Sequence, residues 1–481
     1  MPKPVILLSV PALREKDVAA MPRLRELTAG GGIAELVPTF PCVTCTVQAS
    51  MTTGVGPAEH GVIGNGIYWR ERRKVEMWTS PNDCIGRPQL WDLLSHHGRG
   101  LTSAVWFPLH AVGCEANYVC TPLPIHNPDG SESLWCYTRP TEFYGLLRDR
   151  LGHFPLMNYW GPMAGLPSSQ WIVESALVAA SEWQPDFFYI YLPQLDYAAQ
   201  RTGPDSEAAD RAVAELDGLI GRLAAGMVEA YGEEPLWLVA GEYAITPVDH
   251  VSYPNRILRE AGLLKVRETD DGEDIDLEQS QAFAMVDHQF SHVFVGEAGK
   301  GDRHLLPERP EGCCAQKVPV PFSVQPGAAG QVDHPSTPPQ ELVARVADLF
   351  RNQPGIAEVL VGAERGRYGL EHPRSGDVIL VSTPQSWQAY YWWLSDDRAP
   401  KYARTVDIHR KPGYDPVELF FDPATKSIPL DPSLVKGSHG VPAVDRSQRT
   451  VLLASDPTLL TGPGVADTDV FGMVLRHFGL K

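Results

Sequence analysis

The sequence predicts an α/β protein built on a central, mostly parallel sheet. Short apolar runs alternate with helical patterns along the 481 residues. Several of those runs are apolar almost without interruption, as strands buried on both faces require. No low-complexity linker or internal repeat divides the chain. The expectation is therefore one large domain over residues 1–481, with pocket-lining insertions within 107–170 and 265–400.

The first run, Val5–Val10, is too short for a signal-peptide core and has no small-residue cleavage site after it, so it is predicted as a buried first strand. Ile33–Val37, Thr102–Trp106, Phe187–Leu192, Leu236–Ala240, Val378–Val381 and Thr450–Ala454 follow as strands. Helical patterns cover Met21–Ala29, Gln89–His97, Ser206–Ala225, Asn255–Ala261 and Gln340–Arg351. In Ser206–Ala225 the spacing of Ala209, Val213, Leu216, Leu219 and Leu223 draws one apolar stripe, and Gly203-Pro204 precedes it. Pro307–Gly330, with Cys313 and Cys314, is expected to be an irregular surface loop. The aromatic stretches Leu134–Tyr144 and Trp387–Trp393 are either core or the wall of a pocket.

Composition narrows the function. The hydrophobic fraction is 43% with twelve Trp, which suits a packed globular chain. The net charge of −18 is spread out, and no basic block interleaved with aromatics suggests a nucleic-acid polymer as partner. No stretch reaches the roughly 18 apolar residues that span a membrane. Eight cysteines without a signal sequence fit reduced thiols and a cytoplasmic location. There is no G-x-S-x-G elbow, phosphate-binding G-x-x-x-x-G-K-[ST] loop or G-x-G-x-x-G in a strand–helix setting.

The stretch TFPCVTCTVQASMTTG (39–54) carries the chemistry. A strand, a Pro-bounded turn and a helix-like run put Thr44 at a helix N-terminus, where backbone N–H groups favour an anion. Thr44 is then either a nucleophile, which needs activation, or simply a helix cap. Cys42-x-x-Cys45 has no second pair or His pair beside it to complete a metal or redox site.

Pro38-Thr39-Phe40-Pro41-Cys42-Val43-Thr44, followed by Thr53-Gly54, Pro57, His60-Gly61 and Asn65, resembles the nucleophile segment of the alkaline phosphatase superfamily. The likeness is to its nucleotide pyrophosphatase/phosphodiesterase branch, which includes phosphonoacetate hydrolase-like proteins. Tyr191–Asp196 with Gly203-Pro204, Leu238–Tyr243 and Gly437-Ser438-His439-Gly440 resemble later segments of the same family in the same order. The resemblance implies an alkaline-phosphatase-like fold, a Thr44 nucleophile, a small phosphorylated substrate and two metal ions, usually zinc.

The metal shell departs from that pattern. Pro11 stands where the first strand would end in an aspartate ligand, and Gln200 and Tyr243 stand where histidines are expected. The third carboxylate is lengthened to Glu242, and Val47 replaces an asparagine. What remains is Asp196, Glu242 and His439, enough for one divalent ion: zinc, or manganese or magnesium given the oxygen-rich set. One ion or none, in place of the family's usual two, stays open on these residues.

The resemblance implies a metal-dependent hydrolase of phosphodiesters, phosphoanhydrides or related metabolites. The alternative is a pseudoenzyme or non-hydrolytic relative that binds a phosphorylated metabolite. Asn65, Gln200 and Tyr243 are candidates for polar support. His288 and His292, four apart beside Asp287, would share a face in a helix or a strand and could replace lost ligands. Alternation over 406–409 would point Asp407 and His409 to one side, with Arg410 and Lys411 placed to grip an anion. His334 and His372 are lone histidines.

Overall fold

The computed structural model describes residues 2–96, 98, 100–126, 132–296, 338–460 and 462–480, so the Pro307–Gly330 stretch and His334 lie outside the described residues. Of the seven predicted strands, Val378–Val381 belongs to a second sheet, and the other six, with three more, build one nine-stranded sheet. Its centre is Val5–Val10, buried along its whole length and paired in parallel with Phe187–Tyr191 on one side and Leu236–Gly241 on the other. Ser103–Trp106 and Tyr118–Pro122 extend the parallel run outward, and Cys136–Arg139 closes that edge antiparallel. On the other side Thr450–Ala454 runs antiparallel to both Leu236–Gly241 and Gly32–Val37, so those two strands point the same way.

This topology fixes where chemistry can happen. Val5–Val10, Gly32–Val37, Phe187–Tyr191 and Leu236–Gly241 all end at the same edge of the sheet. In an open α/β sheet the loops at that edge form the ligand crevice. Ser9 is the lone polar side chain in the first strand and sits one residue from its end.

Helices cover the sheet with few surprises. Leu166–Trp183 packs on Glu207–Tyr231, which starts at Ser206, where the hydroxyl accepts from Ala209 N at 3.2 Å, and runs past the predicted Ala225. Helix Thr44–Thr53 is buried at all ten residues, so no amphipathic stripe marks it in the sequence. It ends at Gly54, where φ is 73° and an added Cβ would stand 2.7 Å from the Phe471 ring.

A second, four-stranded antiparallel sheet has the order Ala282–Asp287, Phe290–Val295, Val378–Ser382, Ile356–Val361. It has its own core, which takes in Trp387, Tyr390, Tyr391, Trp392 and Trp393, so that aromatic stretch is core and not a pocket wall. Tyr144 and Cys136 belong to the core of the large sheet. The two-residue turn His288-Gln289 of the small sheet reaches the loop that carries His439: Gln289 N donates to His439 O at 3.0 Å. Gly440 permits this approach, with a φ of 118° and Gln289 N only 3.2 Å from where its Cβ would stand. Among the described residues no helix is long and apolar enough to cross a membrane.

Candidate active site

Three loops at the carboxyl edge, and Ser9 near the end of the central strand, contribute side chains to one buried cluster. Gly32–Val37 leads through Pro38–Val43 into the helix that begins at Thr44. Phe187–Tyr191 leads into helix Gln194–Thr202, whose first turn holds Asp196 and whose second holds Gln200. Glu242 and Tyr243 follow Leu236–Gly241 directly.

The hydroxyls are ordered by their own chemistry. With Asp196 ionised, Tyr243 gives its one proton to Asp196 Oδ1 at 3.2 Å, so Thr44 Oγ1, 3.0 Å from the Tyr243 oxygen, is the donor between the two hydroxyls. Asp196 Oδ2 accepts from Gln200 Nε2 at 2.9 Å, and Gln200 Oε1 accepts from Tyr414 at 2.7 Å. Two donor chains therefore end on one carboxylate. Burial pushes Asp196 up to about 7, against the pull of the hydrogen bonds from Tyr243 and Gln200.

Glu242 lies beside this chain. Its Oε1 accepts from Ser9 Oγ at 2.7 Å and from Gln48 Nε2 at 2.8 Å, while its Oε2 has no partner. Gln48 is one turn after Thr44 on the same helix face, and its own Oε1 accepts from Leu109 N at 2.9 Å. Burial raises Glu242 to about 8, opposed by Gln48 and Ser9 and reinforced by Asp196. Ser9, Gln48 and Tyr414 were not singled out in the sequence. Only Ser9 left a trace there, as one polar residue inside an apolar strand.

A second chain holds the helix start from the other side. Cys45 N donates to Asn65 Oδ1 at 3.1 Å, while Asn65 N and Nδ2 donate to the two oxygens of Asp287 at 2.7 and 3.0 Å. His288 Nδ1 lies 2.6 Å from Asp287 Oδ1. Burial raises Asp287 to about 6 against the Asn65 bonds. His288, at a φ of 58°, sends its ring between Tyr414 (3.6 Å) and His439 (3.8 Å). His439 in turn stacks on Tyr243 at 3.6 Å with only 4° between the ring planes. Its Nδ1 is 2.8 Å from the Cys42 carbonyl, which only accepts, so Nδ1 carries the proton and the lone pair is on Nε2, which has no partner. Burial, with His288 adding to it, holds His439 well below the usual histidine range.

The remaining candidates fall elsewhere. His292 lies inside strand Phe290–Val295, with Nε2 2.8 Å from Ile63 O and Nδ1 accepting from Gly376 N at 3.1 Å, and burial lowers it to about 4. Both nitrogens serve backbone groups, so His288 reaches the cluster and His292 does not. The segment predicted as alternating strand is a turn at 408–410. His409 and Arg410 are exposed, Arg410 lies over the Tyr402 ring at 4.8 Å, and Asp407 caps that turn by accepting from Arg410 N at 3.1 Å. Lys411 is buried instead of open to an anion. Its ammonium meets Asp415 at 2.8 Å, Glu418 at 2.6 Å and Thr405 O at 2.9 Å, which uses all three of its hydrogens.

Fold and site together define a protein of the alkaline-phosphatase-like α/β class, with its polar cluster at the carboxyl edge of the sheet. The chain belongs to the type I phosphodiesterase/nucleotide pyrophosphatase family, whose model matches residues 5–415. Among solved structures it is similar to phosphonoacetate hydrolase from Sinorhizobium meliloti 1021, a structure in complex with phosphonoformate. The TM-score is 0.58 at 16% identity, covering 99% of this chain and 96% of that one. No curated protein matches the chain.

The resemblance implies a two-ion centre, and the donors present can be tested against it. A catalytic zinc takes about three protein ligands and keeps one open position. Of Asp196, Glu242 and His439, only two atoms are free of hydrogen bonds, Glu242 Oε2 and His439 Nε2. Among the described residues no group of three or more His, Cys, Asp and Glu side chains is placed to hold an ion. This arrangement does not fit a two-ion centre.

Proposed function

We propose that the chain hydrolyses a phosphodiester or phosphoanhydride bond in a small phosphorylated substrate, with Thr44 as nucleophile. The observation that carries this reading is the hydroxyl chain Thr44–Tyr243–Asp196, which runs from threonine to carboxylate when Asp196 is ionised, at the N-terminus of a buried helix. The helix end favours the phosphoryl charge. Thr44 Oγ1 forms a bond to phosphorus while the bond from phosphorus to the leaving oxygen breaks, and the Thr44 proton passes through the Tyr243 hydroxyl to Asp196. Water then attacks phosphorus as its bond to Thr44 Oγ1 breaks, and the proton on Asp196 returns through Tyr243 to Thr44. The proton lost by the water balances the anionic oxygen released in the first step. Gln200 and Tyr414 orient Asp196, and Asn65 with Asp287 fixes the helix start.

The test is turnover of an aryl phosphodiester, run in parallel with Zn²⁺, Mn²⁺, Mg²⁺ or chelator, and with Thr44→Ala. The expected result is hydrolysis by the wild type, loss by at least about 10³-fold in the variant, and the substrate's remaining phosphoryl ester trapped on Thr44 in quenched samples. Turnover that survives in Thr44→Ala rules the reading out. One observation favours a second reading, ligand binding without turnover: Thr44 is only 4% exposed. That reading expects thermal stabilisation by a phosphorylated ligand and no product.

A further inference from the structure

We infer that Tyr243 takes the place of a catalytic ion, so that the Thr44 centre works without a bound divalent metal. This rests on the reading of Thr44 as the reactive group. The Tyr243 oxygen lies 3.0 Å from Thr44 Oγ1 and 3.2 Å from Asp196 Oδ1. An ion that bound both of these oxygens would have to compete with this hydroxyl for them.

Tyr243 is held there. Its ring is parallel to His439 at 3.6 Å, its carbonyl accepts from Ala12 N at 2.9 Å, and it is 1% exposed. The neighbouring positions also turn the wrong atoms toward an ion. Tyr414 donates to Gln200 Oε1, which leaves the amide N–H groups of Gln200 facing Asp196, and an N–H has no lone pair to give a cation. Pro11, at the end of the central strand, has no side-chain donor. The hydroxyl supplies what an ion would otherwise supply here, a partner for the Thr44 oxygen that leads its proton to a carboxylate.

The experiment is metal stoichiometry by native mass spectrometry and elemental analysis, after dialysis against Zn²⁺ or Mn²⁺ and then plain buffer. Wild-type protein is expected to keep no stoichiometric ion, and its melting temperature should move with neither Zn²⁺ nor EDTA. Gln200→His combined with Tyr243→His clears the hydroxyl and adds two imidazoles, and is expected to retain one equivalent of zinc that EDTA removes. Wild-type protein that holds a stoichiometric ion, lost in Asp196→Asn or His439→Ala, overturns the inference. So does a double variant with native circular dichroism that takes up no zinc. If the double variant does not fold, the wild-type measurements decide alone. Failure of the underlying reading looks different: turnover surviving in Thr44→Ala removes the nucleophile, whereas turnover abolished by EDTA removes only the metal-free assignment.

Discussion

Two hydrogen-bond chains meet at the start of helix Thr44–Thr53, and they are made of different chemistry. The chain that ends on Asp196 runs through hydroxyls, Thr44 and Tyr243, each of which both gives and accepts a proton. The chain that ends on Asp287 runs through the Cys45 backbone N–H and the Asn65 amide, whose protons do not leave at any ordinary pH. The first can move a proton and the second can only hold a position. Both carboxylates are buried and both accept several donors, so burial and hydrogen-bond number do not separate them. What separates them is whether the link between carboxylate and helix is a hydroxyl or an amide.

That contrast is broken most directly at Tyr243. Tyr243→Phe keeps the ring stacked on His439 and deletes the one oxygen joining Thr44 to Asp196. Turnover of the phosphodiester should fall by about 10²–10⁴-fold, mostly in kcat, with the thermal midpoint little changed. An unchanged kcat in a folded variant would mean that the chain carries no proton.

The largest stability effect lies in the frame around the first chain. Lys411 is clamped between Asp415 and Glu418, on the loop that brings Tyr414 to Gln200. Lys411→Ala leaves two buried carboxylates without their cation and should cost about 3–5 kcal/mol in urea unfolding. A loss under about 1 kcal/mol would show that the carboxylates take up protons or water at little cost.

How much of this was legible beforehand depended on distance along the chain. Strands such as Val5–Val10 and Thr450–Ala454 were readable because a strand buried on both faces writes its burial into consecutive residues. The place of Thr44 at a helix N-terminus was readable from one contiguous segment. Tyr243 and Gln200 were legible as departures from a pattern but not as partners, since Tyr243 meets Thr44 across 199 positions and Tyr414 meets Gln200 across 214. The reading of 406–411 failed for a local reason. Alternation assumes an extended backbone, and a turn at 408–410 sends Arg410 outward and Lys411 into the core.

The second chain should answer differently to mutation. Asn65→Ala removes two side-chain hydrogen bonds, leaving the Cys45 N–H without its acceptor and Asp287 Oδ1 without the amide donor. Its backbone N–H remains to serve Asp287 Oδ2, so the expected cost is about 1–3 kcal/mol of stability. Unlike Tyr243→Phe, it should act on stability and KM more than on kcat. A loss confined to kcat, with stability intact, would erase the distinction between the two chains.

The smallest effect is also the one that pH isolates. Asp467 is fully buried and accepts from Thr39 N at 2.8 Å and Thr39 Oγ1 at 2.7 Å, so it pins the loop that leads to Thr44. Burial raises its carboxyl to about 6; the Thr39 and Thr468 bonds pull it down, and Asp469 adds to the rise. Raised from an ordinary value of about 3.9, the folded protein binds this proton more tightly than the unfolded chain. Between those two values the native state carries more protons, so this group's contribution to stability falls as pH rises. Above about 6 both states are ionised and the cost stays constant, on the order of 2–3 kcal/mol. Asp467→Asn cannot titrate, so the difference between wild type and variant in urea unfolding isolates the group from every other carboxylate. From pH 4 to pH 7 that difference should move toward the variant by up to about 2 kcal/mol. A difference that stays level, or moves toward the wild type, would show that the two Thr39 bonds outweigh burial at this carboxylate.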